Sequence, residues 1–272
     1  MDMSTKKNDW LKRLGRKASE RILDLTGNKG QDAITKKDQI AKKLDYGHVI
    51  QGIDFLESAQ EVLAHGRTLM TTQRLYVLWQ SASNTLQVTG DVAEVGVFRG
   101  GSSYFLSMAY SKLGVDNFVM HAIDTFEGHA AGTISTADNY HQVGMFADTS
   151  YEAVSQYLSR FDFLQVHKGE FSTVTAELTS EKYRLVHIDT DLYQPTWDCF
   201  EYFMPKLSRG GIFIIDDYLS RKCSGVTTAV HEFLEKYPVF DVWFFNTEQI
   251  VLVHRPIATG KAISTFSRQT FQ

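Results

Sequence analysis

Near residue 90 the rhythm of the chain changes. Beyond it, short apolar runs at 92–95, 118–123, 164–167, 185–188 and 212–215 alternate with longer stretches of helical periodicity. Runs that are apolar on both faces suit the strands of a parallel sheet covered by helices on either side. Two further runs, 239–245 and 250–254, are separated only by Asn246-Thr247-Glu248-Gln249, which is hairpin spacing and makes them antiparallel. The expectation is an α/β domain of five parallel strands closed by a C-terminal antiparallel hairpin, with helices on both faces. Ahead of it, 55–78 reads as one or two helices. Composition agrees with a packed chain: 43% of residues are hydrophobic and only four are proline.

Charge divides the molecule differently. Residues 1–46 hold twelve Lys and Arg against seven Asp and Glu, whereas the remainder holds sixteen against twenty-five. An acidic body argues against a nucleic-acid substrate, which would need positive potential where it docks. In the basic segment, Trp10, Leu11, Leu14, Ala18, Ile22 and Leu25 recur at helical spacing among lysines and arginines. Such an amphipathic helix can associate weakly with an anionic membrane surface, pack on its own domain, or join a second subunit. The division expected is therefore a basic helical arm, 1–60, and a catalytic domain, 61–272. The N-terminus lacks the apolar stretch of a secretory signal, so a cytoplasmic protein is expected. Cys199 and Cys223 lack zinc-like spacing and read as ordinary reduced residues.

After the first strand stands Glu94-Val95-Gly96-Val97-Phe98-Arg99-Gly100-Gly101-Ser102-Ser103, followed by helical periodicity over 104–113. Glycines at such a turn let a ligand approach the backbone, and the helix offers free amides, although packing alone could also require them. The glycine positions do not match the GxGxxG dinucleotide fingerprint, which argues against NAD. Asp124, just past the second strand, can accept hydrogen bonds from a ribose diol, or can cap a helix. A glycine turn followed by such an acid is what a nucleoside cofactor requires.

The fourth and fifth runs end in acids, Asp189 and Asp191 on one and Asp216 and Asp217 on the other. Neighbouring parallel strands would crowd all four at the sheet's carboxyl rim, where carboxylates without basic partners raise each other's pKa and favour a cation. Oxygen ligands suit Mg²⁺. The alternative is that Asp191 and Asp217 cap helices. His187 shares strand parity with Asp189 and reads either as a satisfied core residue or as a base.

In EVGVFRGGSS (94–103), IDTFEG (123–128), HKGEF (167–171), HIDTDLYQPTWD (187–198) and GGIFIIDDY (210–218), the chain resembles the macrocin and mycinamicin type sugar O-methyltransferases over roughly residues 66–255. The resemblance implies a class I methyltransferase (Rossmann-like) fold, S-adenosylmethionine and Mg²⁺ as cofactors, and a sugar acceptor. It also implies assembly into a homo-oligomer. Position by position, it implies Glu94, Gly96, Phe98, Gly100 and Ser102 around the methionine and ribose of the cofactor, and Asp124 with Thr125 at the ribose diol. Glu170 and Phe171 fall near the adenine, and Met70 and Thr71 in a segment closing over the cofactor. Asp189, Asp216 and Asp217 are the implied metal ligands, Asp189 doubling as general base beside the cofactor, and Asp191 lies behind them. The stretch 127–150 is long for a connection and reads as a lid over the acceptor, or as an insert without function. A catechol-type O-methyltransferase, a metal-dependent hydrolase or phosphotransferase, and a non-catalytic binding domain are the competing readings.

Overall fold

The computed structural model describes residues 53–115 and 117–255. The basic segment and its expected helix lie outside the described residues. The chain divides into two units between Ala64 and His65, and each is considered by itself. The first contributes most of one amphipathic helix, α1 (Ile53–His65).

Among the described residues the second unit has seven strands. In chain order they are β1 (Asp91–Val95), β2 (Met120–Asp124), β3 (Leu164–Lys168), β4 (Tyr183–Ile188), β5 (Leu207–Ile215), β6 (Phe240–Phe245) and β7 (Gln249–His254). The helices are α2 (Thr72–Asn84), α3 (Gly101–Lys112), α4 (Tyr151–Leu158), the single turn α5 (Phe171–Val174), α6 (Tyr193–Phe203) and α7 (Ser224–Lys236). Strands lie in the order β3-β2-β1-β4-β5-β7-β6; the first five are parallel and β7 is antiparallel to both neighbours. All five expected parallel strands and the hairpin are present. No helix among the described residues is long and apolar enough to cross a membrane.

Strand parity distributes the core. Ala93, Val95, Ile123, Val186, Ile188, Phe213 and Ile215 face α6 and α7 and pack with Phe200, Val226, Val230 and Phe233, Phe200 stacking on Phe233 at 4.1 Å between centroids. The opposite parity gives Glu94, paired in register with His187, which is paired with Ile214. Glu94 and His187 therefore lie side by side on the other face, with Asp216 just past the end of β5.

The chain runs outward from β1 through β2 to β3, then returns to β4 on the other side of β1. In open α/β sheets a ligand crevice forms at the carboxyl ends of the two strands flanking such a reversal. Here those ends are Val95 and Ile188, and Asp189 N–H donates to Val95 O at 2.8 Å.

Candidate active site

Leaving β1, the chain turns through Gly96 and Phe98, both at positive φ (93° and 51°), and enters α3 from Gly100 at φ 86°. A side chain on Gly96 would strike the Asp189 carbonyl, and one on Gly101 would come within 2.7 Å of Arg67 O. These two glycines are thus required by pressing backbone: the rim of β4 at one, the 67–68 segment at the other. Asp124 is held to the same turn. Its carboxylate accepts from Phe98 N–H and from Phe126 N–H, each at 2.7 Å.

The acid rim divides into a filled half and an open half. Asp216, fully buried, accepts from Gln249 Nε2 at 2.7 Å and from Arg74 Nη1 at 3.2 Å, and lies 3.1 Å from His187 Nε2. His187 Nδ1 is 2.7 Å from Glu94 Oε1, and the other oxygen of Glu94 accepts from Ser103 Oγ. Burial alone would keep His187 neutral, but hydrogen bonds and charge from Asp216 and Glu94 raise its pKa well above the ordinary value. His187 is therefore a satisfied core residue, as one of its two readings held. Arg74 also donates to Asp217 Oδ1 at 2.8 Å and to Thr247 O at 2.9 Å.

Asp189 is treated differently. Among the described residues none donates a hydrogen bond to its carboxylate, and burial followed by the charges of Asp216, Asp217 and Asp191 raises its pKa well above the carboxylate range. Its oxygens lie within 4.8 Å of carboxylate oxygens of Asp191 and Asp217, and in a second grouping within 4.8 Å of Asp216 and His187 donors. Asp191 is raised as well, by burial and then by Asp217. Neither Asp191 nor Asp217 caps a helix. Both sit at left-handed φ (62° and 60°), while Leu192 precedes α6 and Cys223 precedes α7 without a side-chain cap bond.

The stretch 127–150 carries no helix or strand but is fastened at several points. Asp138, buried, accepts from Ser135 N–H and from Tyr193 N–H at the start of α6. His129 Nε2 meets His141 Nδ1 at 3.0 Å, Thr149 Oγ1 donates to Phe98 O, and Arg99 pairs with Asp148. Between this stretch and the strand ends lies a cavity of about 910 Å³.

Of the residues expected at the cofactor, Met70, Gly96, Phe98, Ser102, Asp124, Thr125, Glu170, Phe171 and Asp189 all line this one cavity, as do Asp191 and Asp217. Thr71, Glu94, Gly100 and Asp216 do not line it. Thr71 caps α2, its hydroxyl accepting from Arg74 N–H, and Glu94 and Asp216 hold His187 between them. One premise needs correction: the acids do have a basic partner, since Arg74 pairs with Asp216, Asp217 and Glu248. Its only sequence signal was its place in the first turn of a helix beginning Thr-Gln-Arg. His129, Tyr140 and His141, which also line the cavity, carried no motif.

An open sheet with this strand order, a glycine turn after β1 and an acid at the end of β2 defines the class I methyltransferase fold. The family described as macrocin-O-methyltransferase (TylF) matches residues 29–241, and the chain belongs to it. It is 30% identical over 198 residues to mycinamicin III 3''-O-methyltransferase of Micromonospora griseorubida, covering 68% of this chain and 77% of that protein. It is 31% identical over 163 residues to 8-demethyl-8-(2,3-dimethoxy-alpha-L-rhamnosyl)-tetracenomycin-C 4'-O-methyltransferase of Streptomyces olivaceus, covering 57% and 61% of the two chains. The solved structure of the O-methyltransferase NovP superposes with a TM-score of 0.64 at 23% identity, over 70% of this chain and 83% of that one, a likeness of fold.

Proposed function

We propose that this O-methyltransferase moves a methyl group from S-adenosylmethionine to a hydroxyl of a sugar-bearing acceptor, with Mg²⁺ at the acid rim. The observation that carries the reading is that the Asp124 turn and the unpaired Asp189 carboxylate open into the same cavity. The sugar acceptor is supported by relatives, one of which carries a rhamnosyl group in its name.

The residues fit both groups. Asp189 offers hard oxygen atoms without a hydrogen-bond donor, and its raised pKa is what a bound cation would reverse. Asp216 and Asp217 would share that cation with Asp189, Arg74 offsetting part of their charge. Bound Mg²⁺ supplies positive charge that lowers the pKa of an acceptor hydroxyl. Asp124 would take the ribose diol, Glu170 and Phe171 the adenine end, and Gly96, Phe98, Ser102 and Met70 the space between. Asp189 accepts the proton from the acceptor hydroxyl. The cavity walls align the hydroxyl oxygen with the methyl donor, and positioning of this kind supplies on the order of 7–11 kcal/mol. The stretch 127–150 covers the acceptor and excludes water. Residues 1–60 are a candidate contact with a second copy, and deleting residues 2–45 should lower the number of chains per particle in solution, an unchanged assembly overturning the idea.

The test is calorimetric titration of S-adenosylhomocysteine with Mg²⁺ and with chelator, for wild type and Asp124→Ala. Binding by wild type that is weakened in the variant supports the reading. Wild type that takes up Mg²⁺ but no S-adenosylhomocysteine overturns it in favour of a hydrolytic or phosphoryl-transfer site.

A further inference from the structure

A second group of donors, of different chemistry from the acid rim, meets at Asp191. His141 comes from the 127–150 stretch, Asp191 follows β4, and Cys223 immediately precedes α7. An imidazole nitrogen, a carboxylate oxygen and Sγ, one from each, all lie within 4.8 Å of one another. Cys223 Sγ is 3.5 Å from His141 Nε2 and 3.6 Å from Asp191 Oδ1. A tetrahedral zinc site with Zn–S of about 2.3 Å and Zn–N or Zn–O of about 2.0–2.1 Å separates sulfur from either other donor by about 3.6 Å. The two edges that meet at sulfur therefore already have this length.

The ring that would ligate is also held from behind. His141 Nδ1 is 3.0 Å from His129 Nε2, an outer hydrogen bond of the kind that orients a metal-binding imidazole and leaves its other nitrogen facing the ion. His141 and Cys223 are largely buried, at 7% and 4% exposure, and both reach the cavity wall, as Asp191 does. Sequence spacing could not reveal this group, because its members are 50 and 32 residues apart and meet only through the loop.

We propose that His141, Cys223 and Asp191 form a binding site for zinc or another borderline-soft divalent ion, one that fastens the 127–150 stretch to the rim of the sheet. Binding forms a metal–sulfur bond as the S–H bond breaks and its proton passes to solvent, with no change of oxidation state; a fourth position stays open to water. The mixed sulfur, nitrogen and oxygen set disfavours Mg²⁺, which takes oxygen ligands. The site does not depend on the methyl-transfer reading.

Cobalt(II) titrated into the full chain in excess Mg²⁺ tests it, read by sulfur-to-cobalt charge-transfer absorption in the near ultraviolet. The expected result is saturation at one ion per chain and bleaching by zinc. The band should vanish in Cys223→Ser and persist in Cys199→Ser, whose sulfur lies in the apolar core. His129→Ala should weaken cobalt affinity about 10–100-fold. Zinc should slow proteolytic cleavage within 127–150 in wild type and not in Cys223→Ser. No band in wild type, or a band surviving Cys223→Ser, overturns the site; cleavage unaffected by zinc overturns its fastening role.

Discussion

Asp216 and Asp189 follow neighbouring parallel strands and are indistinguishable by residue type, yet their surroundings are opposite. The carboxylate of Asp216 is held from behind by His187, Gln249 and Arg74, whereas that of Asp189 faces the cavity with no donor among the described residues. A buried acid held by three partners is part of the frame, and replacing it costs stability. A buried acid without partners costs stability by being there, which a protein retains when a ligand supplies the missing charge.

That contrast is broken most forcefully by Asp189→Asn. Methyl transfer to any acceptor the wild type uses should fall about 10²–10⁴-fold, the usual worth of a positioned base. The melting temperature should hold or rise, because the variant removes a charge that its neighbours oppose. A variant that keeps its rate would move Asp189 out of the chemistry. Removing the frame should act in reverse. His187→Leu leaves Glu94 and Asp216 buried without the imidazole between them and should cost about 3–5 kcal/mol in urea unfolding, while the folded fraction still binds S-adenosylhomocysteine. Unchanged stability would show that the chain of charges is not structural.

Asp124 falls between the two classes, since it already accepts two backbone amides yet still lines the cavity. Asp124→Ala should weaken S-adenosylhomocysteine by about 10–100-fold, the scale of hydrogen bonds to a charged group. An equal loss in Asp124→Asn would show that charge matters, and full retention there would assign the effect to the turn.

Much of this was legible in the sequence for a physical reason: buried parallel strands must be apolar on both faces, so their runs stand out. β5 marks the limit. It begins at Leu207, five residues before its apolar run, because Ser208-Arg209-Gly210-Gly211 carry no such signal. The strand-end acids were legible too, since topology alone carries them to one rim. What separates Asp216 from Asp189 was not, because it depends on Arg74, 142 positions from Asp216, and on Gln249 in the hairpin. Loop contacts, such as Asp138 on the first amide of α6, follow no period at all.

A third histidine environment sharpens the comparison with the smallest expected effect. His121 on β2 is fully buried like His187, but its partners are His167 Nε2 at 3.0 Å and Ser180 Oγ at 2.7 Å, and no carboxylate. Burial, and then the neighbouring His167, lower its pKa to about 4. The unfolded chain, with an ordinary histidine near pH 6.5, therefore takes up this proton first as pH falls. Stability is undiminished above about pH 6.5, declines from there to about pH 4, and stops declining from this cause once the folded protein is protonated too. Melting temperatures of wild type and His121→Phe, followed from pH 7.5 to 4.5, should diverge in slope, the variant losing less on acidification. Parallel curves would mean that His121 exchanges its proton as readily in the folded chain, and that burial without an acid partner is not what sets a histidine's charge in this sheet.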